Sequence, residues 1–167
     1  MKIVIAGAGE VGAHLARLLS RENQDIILVD QNEERLTQLD STCNILTQTG
    51  SPTSMTVLKT AKVPQCDLFV AVTPYETTNM LSSSMAKSLG AKKTMARIDN
   101  YEFMEPTNLE FFGKIGIDSM VYPEYLAAIE ILKALECNWM RNWVELHDGK
   151  LIVAGVKIRA GAPLAGK

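Results

Sequence analysis

Short apolar runs alternate along the chain with longer stretches in which apolar residues recur every three or four positions. The run Lys2–Ala6 is nearly continuous, as is typical of a strand buried on both faces, whereas Val11–Ser20 carries its apolar residues on one helical face. The predicted strands are Lys2–Ala6, Asp25–Asp30, Asn44–Thr47, Asp67–Thr73, Thr94–Ile98 and Ser119–Tyr122. The predicted helices are Val11–Ser20, Asn32–Ser41, Thr53–Thr60, Glu76–Leu89, Tyr101–Gly113 and Glu124–Cys137.

This alternation predicts an α/β fold. We expect a Rossmann-like, doubly wound parallel sheet of six strands in the order 3-2-1-4-5-6, with helices on both faces. Crossovers between parallel strands should be right-handed.

The last predicted helix is apolar on more than one side. A helix that packs only on its own domain needs an apolar stripe about 100° wide, and Leu126, Ile129, Ile131, Leu132 and Leu135 exceed it. A second surface, used by a dimer partner, accounts for the excess. The alternative is a well-buried internal helix.

The pattern changes after this helix. Residues 143–146 and 151–158 are apolar runs on either side of Asp148-Gly149, which predicts a β-hairpin. We therefore expect a nucleotide-binding domain over 1–137, with 124–137 as a dimerising crossover helix. Residues 138–167 should form a hairpin linker and the start of a C-terminal domain that continues in a longer chain.

A glycine-rich turn, Gly7-Ala8-Gly9-Glu10-Val11-Gly12, joins the first strand to the first helix. In this context Gly7 permits the tight turn, Gly9 lets a pyrophosphate approach the backbone, and Gly12 lets the helix pack on the strand. The start of the helix offers unpaired N–H groups and a positive dipole end to phosphate. The turn predicts an adenine nucleotide site for NAD(H) or for ATP or ADP.

Asp30 ends the second strand, where a carboxylate can accept hydrogen bonds from ribose hydroxyls. It would repel a 2′-phosphate, and Gln31 and Asn32 supply no cation, so NADP is disfavoured. Asp30 can also serve as the N-cap of the following helix.

Four further residues fall at the expected carboxyl edge of the sheet. Ser51 follows the third strand near the adenine position, although Ser51 or Thr53 can instead cap the next helix. Thr73 and Pro74 end the fourth strand at the switch point, where ligands bind in such sheets. Arg97 ends the fifth strand and needs a partner, either a nucleotide phosphate or a carboxylate such as Asp99.

Composition removes several classes of function. A net charge of −2 gives no reason to expect nucleic acid as a partner, and no apolar run approaches the ~20 residues that cross a bilayer. The three cysteines are far apart, which argues against a disulfide framework or a zinc site. No carboxylate spacing is specific to a metal, so we expect no metal site.

Catalytic patterns are also missing from the sequence. No Tyr is followed by a Lys four positions later, as a short-chain dehydrogenase requires, and no Ser-His-Asp or Cys-His arrangement stands out. We therefore expect no enzymatic activity. The alternative is the dinucleotide-binding half of an NAD-dependent oxidoreductase whose substrate domain lies elsewhere.

The order of these motifs resembles the TrkA family of RCK or KTN domains. The resemblance rests on the opening strand and turn, on Val29-Asp30 with Glu34-Arg35-Leu36, on Val72-Thr73 with Glu76 and Asn79, on Ala96-Arg97-Ile98, and on Pro123-Glu124. It implies a regulatory subunit of Trk potassium uptake that binds NAD(H) or ATP/ADP and gates a membrane potassium transporter allosterically.

The resemblance also implies partners and a location. Family members form dimers or tetramers, and their dimer contacts would map onto the helix after Glu124. Their nucleotide contacts would map onto Gly7–Gly12, Asp30, Ser51, Thr73 and Arg97. The chain would then be cytoplasmic and peripheral at the inner face of the membrane, held there by its transporter partner and not inserted itself.

Overall fold

A six-stranded, all-parallel sheet organises the first part of the chain in the computed structural model, which describes residues 1–136, 140–147, 150–159 and 161–163. Two compact units are present, Met1–Pro123 and Glu124–Lys167. The strands are β1 Lys2–Ala6, β2 Asp25–Asp30, β3 Leu46–Thr49, β4 Leu68–Ala71, β5 Lys93–Arg97, β6 Ser119–Val121, β7 Met140–Leu146 and β8 Leu151–Val156. The α-helices are α1 Glu10–Ser20, α2 Glu33–Asp40, α3 Met55–Thr60, α4 Glu76–Leu89, α5 Pro106–Lys114 and α6 Pro123–Glu136.

The strand order is β3-β2-β1-β4-β5-β6, which confirms the predicted Rossmann-like sheet. Strand β1 lies between β2 and β4, with Ala6 opposite both Val29 and Ala71. The chain therefore crosses from one half of the sheet to the other between β3 and β4. The carboxyl ends of β1, β2 and β4 meet at the switch point, where this fold binds ligands.

Apolar side chains of β1 alternate between two cores. Val4 and Ala6 belong to one cluster, with Leu58 of α3 and Phe69 of β4, and all four side chains are fully buried. Ile3 and Ile5 belong to the cluster that includes α1 and α2. Since successive strand residues point to opposite faces, both faces of β1 are covered by helices, which explains its continuous apolar run.

Two predicted elements differ clearly from the structure. Strand β3 begins at Leu46, two residues later than predicted. Its pairing with β2 sets this start, because Leu46 lies opposite Ile27 and Thr49 lies opposite Asp30. The predicted helix Tyr101–Gly113 is interrupted: a 3-10 turn at Tyr101–Met104 is followed by α5, which starts at Pro106. Proline disfavours helical geometry in the residue before it, and Glu105 is extended (φ −64°, ψ 143°).

Two ion pairs lie at the edge of the sheet where the strands begin. Lys92 Nζ lies 2.6 Å from Asp67 Oδ1, and this bond lowers the pKa of Asp67 below its usual value. Lys87 Nζ lies 2.7 Å from Asp118 Oδ2. Burial of the Asp118 carboxyl opposes ionisation, but hydrogen bonds from Lys87 and from the Thr94 N–H outweigh it, so the pKa of Asp118 is also lowered.

The second unit contains α6 and an antiparallel hairpin. Leu126, Ile131, Leu132 and Leu135 of α6 are exposed, so the alternative of a buried internal helix is wrong. Strands β7 and β8 pair in the antiparallel sense, with Leu146 opposite Leu151 and Met140 opposite Val156, as the hairpin prediction requires. The predicted turn residues Asp148 and Gly149 lie outside the described residues. The domain boundary at residue 137 stays a prediction.

Candidate functional site

The glycine-rich turn is packed tightly against the switch point. Gly7 has φ +109°, a conformation that L side chains rarely adopt, and a Cβ there would lie 3.0 Å from the Thr73 N atom. A Cβ on Gly12 would lie 1.8 Å from the carbonyl oxygen of Gly7. Both positions therefore require glycine, which explains why the chain can bend from β1 into α1 over so few residues.

Gly9 differs from these two glycines because a Cβ added there would meet nothing within 4 Å. It precedes α1 as an N-cap without a side-chain bond, and no described residue accepts a hydrogen bond from the N–H groups of Glu10 or Val11. Open space above Gly9 and exposed N–H donors at a helix start suit an anion such as a pyrophosphate. The residues present therefore fit the phosphate part of a nucleotide.

Asp30 links the end of β2 to this turn. Its Oδ2 accepts a hydrogen bond from the Ala8 N–H at 2.6 Å, and its Oδ1 accepts one from the Asn32 N–H at 2.8 Å. The N-cap of α2 is Asn32, whose side chain accepts from the Arg35 N–H, so the capping alternative for Asp30 is wrong. Each carboxylate oxygen has a second acceptor position, which leaves room for a ribose hydroxyl.

A buried amide fixes the ends of β4 and β5 relative to each other. Asn79 is fully buried; its Oδ1 accepts from the N–H and the hydroxyl of Thr73, at 2.8 and 2.7 Å. Its Nδ2 donates to the carbonyls of Thr73 and Arg97, at 2.9 and 3.0 Å. All four hydrogen-bonding positions of the amide are used, which holds Thr73 and the Arg97 backbone in fixed positions at the carboxyl edge.

Arg97 and Glu76 extend this arrangement. The Arg97 guanidinium pairs with Asp99 at 3.3 Å, so the carboxylate partner considered from the sequence is present. Glu76, the first residue of α4, accepts from the N–H groups of Asp99 and Asn100, at 2.6 and 2.8 Å. The loop after β5 is thereby anchored to the start of α4.

Two depressions border the turn. The first, which we call the switch-point cleft, has a volume of about 310 Å³. Its lining includes Gly7, Asp30, Gln31, Arg35, Pro52, Thr73, Pro74, Tyr75 and Thr78. The second, which we call the α1–α2 groove, has a volume of about 860 Å³ and is lined by Ala8, Gly9, Glu10, Val11, His14, Arg35 and neighbouring residues of α1 and α2.

The predicted site residues divide between these depressions. Gly7, Asp30, Thr73 and Pro74 line the cleft, whereas Ala8, Gly9, Glu10 and Val11 line the groove. Gly12 lies beneath the turn against Gly7. Ser51 and Arg97 line neither depression.

The predicted cap of α3 is wrong. Ser54 is the N-cap, accepting from the Val57 N–H at 3.4 Å, whereas Ser51 and Thr53 bond to each other through their hydroxyls at 2.8 Å.

Sequence reasoning missed Arg35, Pro52, Tyr75 and Thr78 as lining residues. The position of Arg35 in the predicted helix could have indicated its place in the cleft. Helical side chains point towards the helix N-terminus, so a residue in the first turn of α2 reaches back to the end of β2.

Comparison with known proteins identifies the family. The sequence model of the TrkA-N domain family matches residues 3–123, which include nearly all of the six-stranded sheet, the glycine-rich turn and Asn79. The chain belongs to the TrkA-N domain family. The match bears out the resemblance that the sequence motifs indicated, and its limits follow those of the parallel sheet.

Two curated relatives support this assignment. The Trk system potassium uptake protein TrkA homolog of Archaeoglobus fulgidus is 32% identical over 167 residues, which is 100% of this chain and 38% of the relative. The protein TrkA of Haemophilus influenzae is 34% identical over 99% of this chain and 37% of the relative. The TrkA-N chain thus spans less than two-fifths of the length of these relatives.

Solved structures share the fold. The TrkA-N domain of inner membrane protein ybaL from Escherichia coli has a TM-score of 0.70 at 15% identity, covering 80% of this chain and 96% of that one. The GsuK channel bound to NAD has a TM-score of 0.61 at 19% identity, covering 88% and 25%. GsuK bound to ADP has a TM-score of 0.58 at 22% identity, covering 72% and 30%.

The described residues of the TrkA-N chain contain neither a membrane-spanning helix nor a metal-binding group. None of the helices in its described part has the length and apolarity that a membrane crossing requires. Within the same described residues, no three His, Cys, Asp or Glu side chains come together in a group able to hold a metal ion.

Proposed function

We propose that this TrkA-N chain is the nucleotide-binding part of a regulatory subunit that gates a Trk-type potassium transporter. The observation that carries the proposal is the open space at Gly9 beside the free N–H groups of Glu10 and Val11, at the switch point of the sheet. The ligand is NAD or NADH, with ATP or ADP as alternatives. GsuK, which shares the fold, has been solved with NAD and with ADP.

Each site residue has a part in this binding. The N–H groups at the start of α1 hold the phosphates, and Asp30 accepts from a ribose hydroxyl with the lone pairs that Ala8 and Asn32 leave unused. Thr73 and Pro74 form the wall of the cleft on the other side. Ser51 and the guanidinium of Arg97 lie outside both depressions, so they contact only a ligand that extends beyond the cleft.

Regulation follows from coupling between copies of the chain. A ligand shifts a conformational equilibrium only by its difference in affinity for the two states. The exposed apolar residues of α6, among them Leu126, Ile131 and Leu135, suit a homodimer or tetramer contact. Nucleotide binding would favour one arrangement of the paired domains, and that arrangement would act on the transporter.

The proposal places the protein in the cytoplasm, peripheral at the inner face of the membrane through its transporter partner. The proposed role is regulatory and includes no catalytic step.

The test uses cells that depend on Trk-type uptake for growth at low potassium. Deletion of the gene should stop this growth, the wild-type gene should restore it, and Gly9→Ala should restore it poorly because the added Cβ occupies the phosphate space. Asp25→Ala, at an exposed position away from the site, is the matched control. Normal growth of the deletion strain would contradict the regulatory role.

A further inference from the structure

Arg35 brings a positive charge to the same cleft that Asp30 lines. Arg35 stands in the first turn of α2, fixed there by the Asn32 side chain, which accepts from its N–H at 3.0 Å. Because helical side chains point towards the N-terminus, Arg35 reaches back to the end of β2. It lines the switch-point cleft together with Asp30 and also lines the α1–α2 groove together with Gly9.

The charge of Arg35 is not used within the part of the chain that the structure describes. Its exposed guanidinium makes no ion pair or hydrogen bond with any described residue. Asp30, which shares the cleft, directs Oδ2 to the Ala8 N–H and Oδ1 to the Asn32 N–H. The positive charge at this wall of the cleft therefore remains available to a ligand.

The position of this cation defines the ligand group it suits. Asp30 stands where the adenosine ribose of a dinucleotide binds in this fold, so a phosphate on that ribose would lie in the cleft that Arg35 also lines. A guanidinium binds phosphate through two parallel, charge-assisted hydrogen bonds. The Ala8 and Asn32 N–H groups place their partial positive charges beside the Asp30 carboxylate, which offsets part of the negative potential that a phosphate meets there.

We infer that Arg35 recognises a phosphate on the adenosine ribose, so that the cleft takes NADP(H) as well as NAD(H). The inference rests on the proposed nucleotide site. From the sequence, NADP was disfavoured because Gln31 and Asn32 carry no positive charge. The inference differs from that expectation because Arg35, about one helical turn later in the chain, supplies the positive charge.

The test is calorimetric titration of the intact chain with NADH and with NADPH. The wild-type chain should bind both. Arg35→Ala should lower the affinity for NADPH about tenfold or more, as expected for loss of a charge-assisted hydrogen bond. Its affinity for NADH should change less than about threefold. Arg35→Lys should recover part of the NADPH affinity, and the exposed Arg21→Ala, at the end of α1, should change neither.

The outcomes separate this inference from the proposed function. A wild-type chain that binds NADH and rejects NADPH would overturn the role of Arg35 and leave the nucleotide site intact. Equal NADPH affinity in wild type and Arg35→Ala would overturn it as well. A chain that binds neither dinucleotide, nor ATP or ADP, at millimolar concentration would remove the proposed site itself.

Discussion

The Oδ2 atom of Asp30 accepts a hydrogen bond from the backbone N–H of Ala8 at 2.6 Å. This bond joins the end of β2 to the middle of the glycine-rich turn, between residues far apart in the chain. Asp30 thus shapes the turn that it borders, in addition to facing the cleft where a ribose would bind. Its carboxylate is a structural part of the site before any ligand arrives.

Removal of this carboxylate should affect stability and binding together. Asp30→Ala leaves the Ala8 and Asn32 N–H groups without their acceptor, which should lower the free energy of unfolding by about 1–2 kcal/mol. It should also weaken NADH binding, because a ribose contact is lost. Urea unfolding and calorimetry measure the two effects. Asp25→Ala, at the start of the same strand, should change neither, and equal behaviour of the two variants would contradict the role of Asp30.

Gly9 and Gly12 should respond differently to the same substitution. In Gly12→Ala the new Cβ would lie 1.8 Å from the Gly7 carbonyl oxygen, so the turn must shift at a cost of about 2 kcal/mol or more in unfolding free energy. In Gly9→Ala the Cβ meets nothing and φ is −68°, so stability should stay within about 0.5 kcal/mol of wild type.

Binding should separate the same pair of variants. Gly9→Ala fills the space above the helix start, so it should bind NADH weakly in calorimetry despite its normal melting temperature. Wild-type affinity in a well-folded Gly9→Ala chain would show that no phosphate passes over Gly9.

Asn79 should be among the least replaceable polar residues of the described core. Asn79→Leu removes four hydrogen bonds and leaves groups of Thr73 and a carbonyl of Arg97 without partners, so unfolding free energy should fall by about 2–4 kcal/mol. Thr77→Leu, at an exposed position of the same helix, is the control. A loss below 1 kcal/mol in urea unfolding, relative to about 2 or more expected, would argue that the network is not formed.

The Lys87–Asp118 ion pair should make the free energy of unfolding depend on pH in the acid range. The pKa of Asp118 is lowered in the folded chain, so its contribution is fully present above the unfolded pKa of ~3.9 and is lost as pH falls through the folded pKa. Lys87→Met should reduce this acid dependence, by less than about 1 kcal/mol because the pair is partly exposed.

Unfolding free energy measured between pH 6 and pH 2 checks this prediction, with the exposed Lys93→Met as control. An acid transition in Lys87→Met as large as in wild type would assign the effect to other carboxylates.

The sheet was predictable because its signals are local. Continuous apolar runs, glycines at the turn and the alternation of strands with helices are all visible in short windows of sequence. Their arrangement in two halves of three strands predicts the strand order of the doubly wound fold. The interruption before Pro106 has a local signal as well, because proline restricts the residue before it, but the predicted helix Tyr101–Gly113 did not take that signal into account.

The walls of the cleft were less predictable because they depend on tertiary placement. Arg35 enters the site through the direction of a helical side chain, and Pro52 and Tyr75 enter it from loops after two different strands. The shift of β3 follows from its pairing register with β2, which no feature of the segment Asn44–Thr49 specifies alone. Likewise, the Asp30–Ala8 bond requires two segments that only the folded sheet brings together.

An amide ¹H–¹⁵N chemical-shift titration of the chain with NADH would show whether a nucleotide phosphate binds at the start of α1. We expect saturable shifts that are largest at the amides of Gly9, Glu10 and Val11, because their N–H groups would donate hydrogen bonds to the phosphate oxygens. Saturable binding with its largest shifts away from the start of α1, or no shifts at millimolar NADH, ATP or ADP, would contradict this expectation.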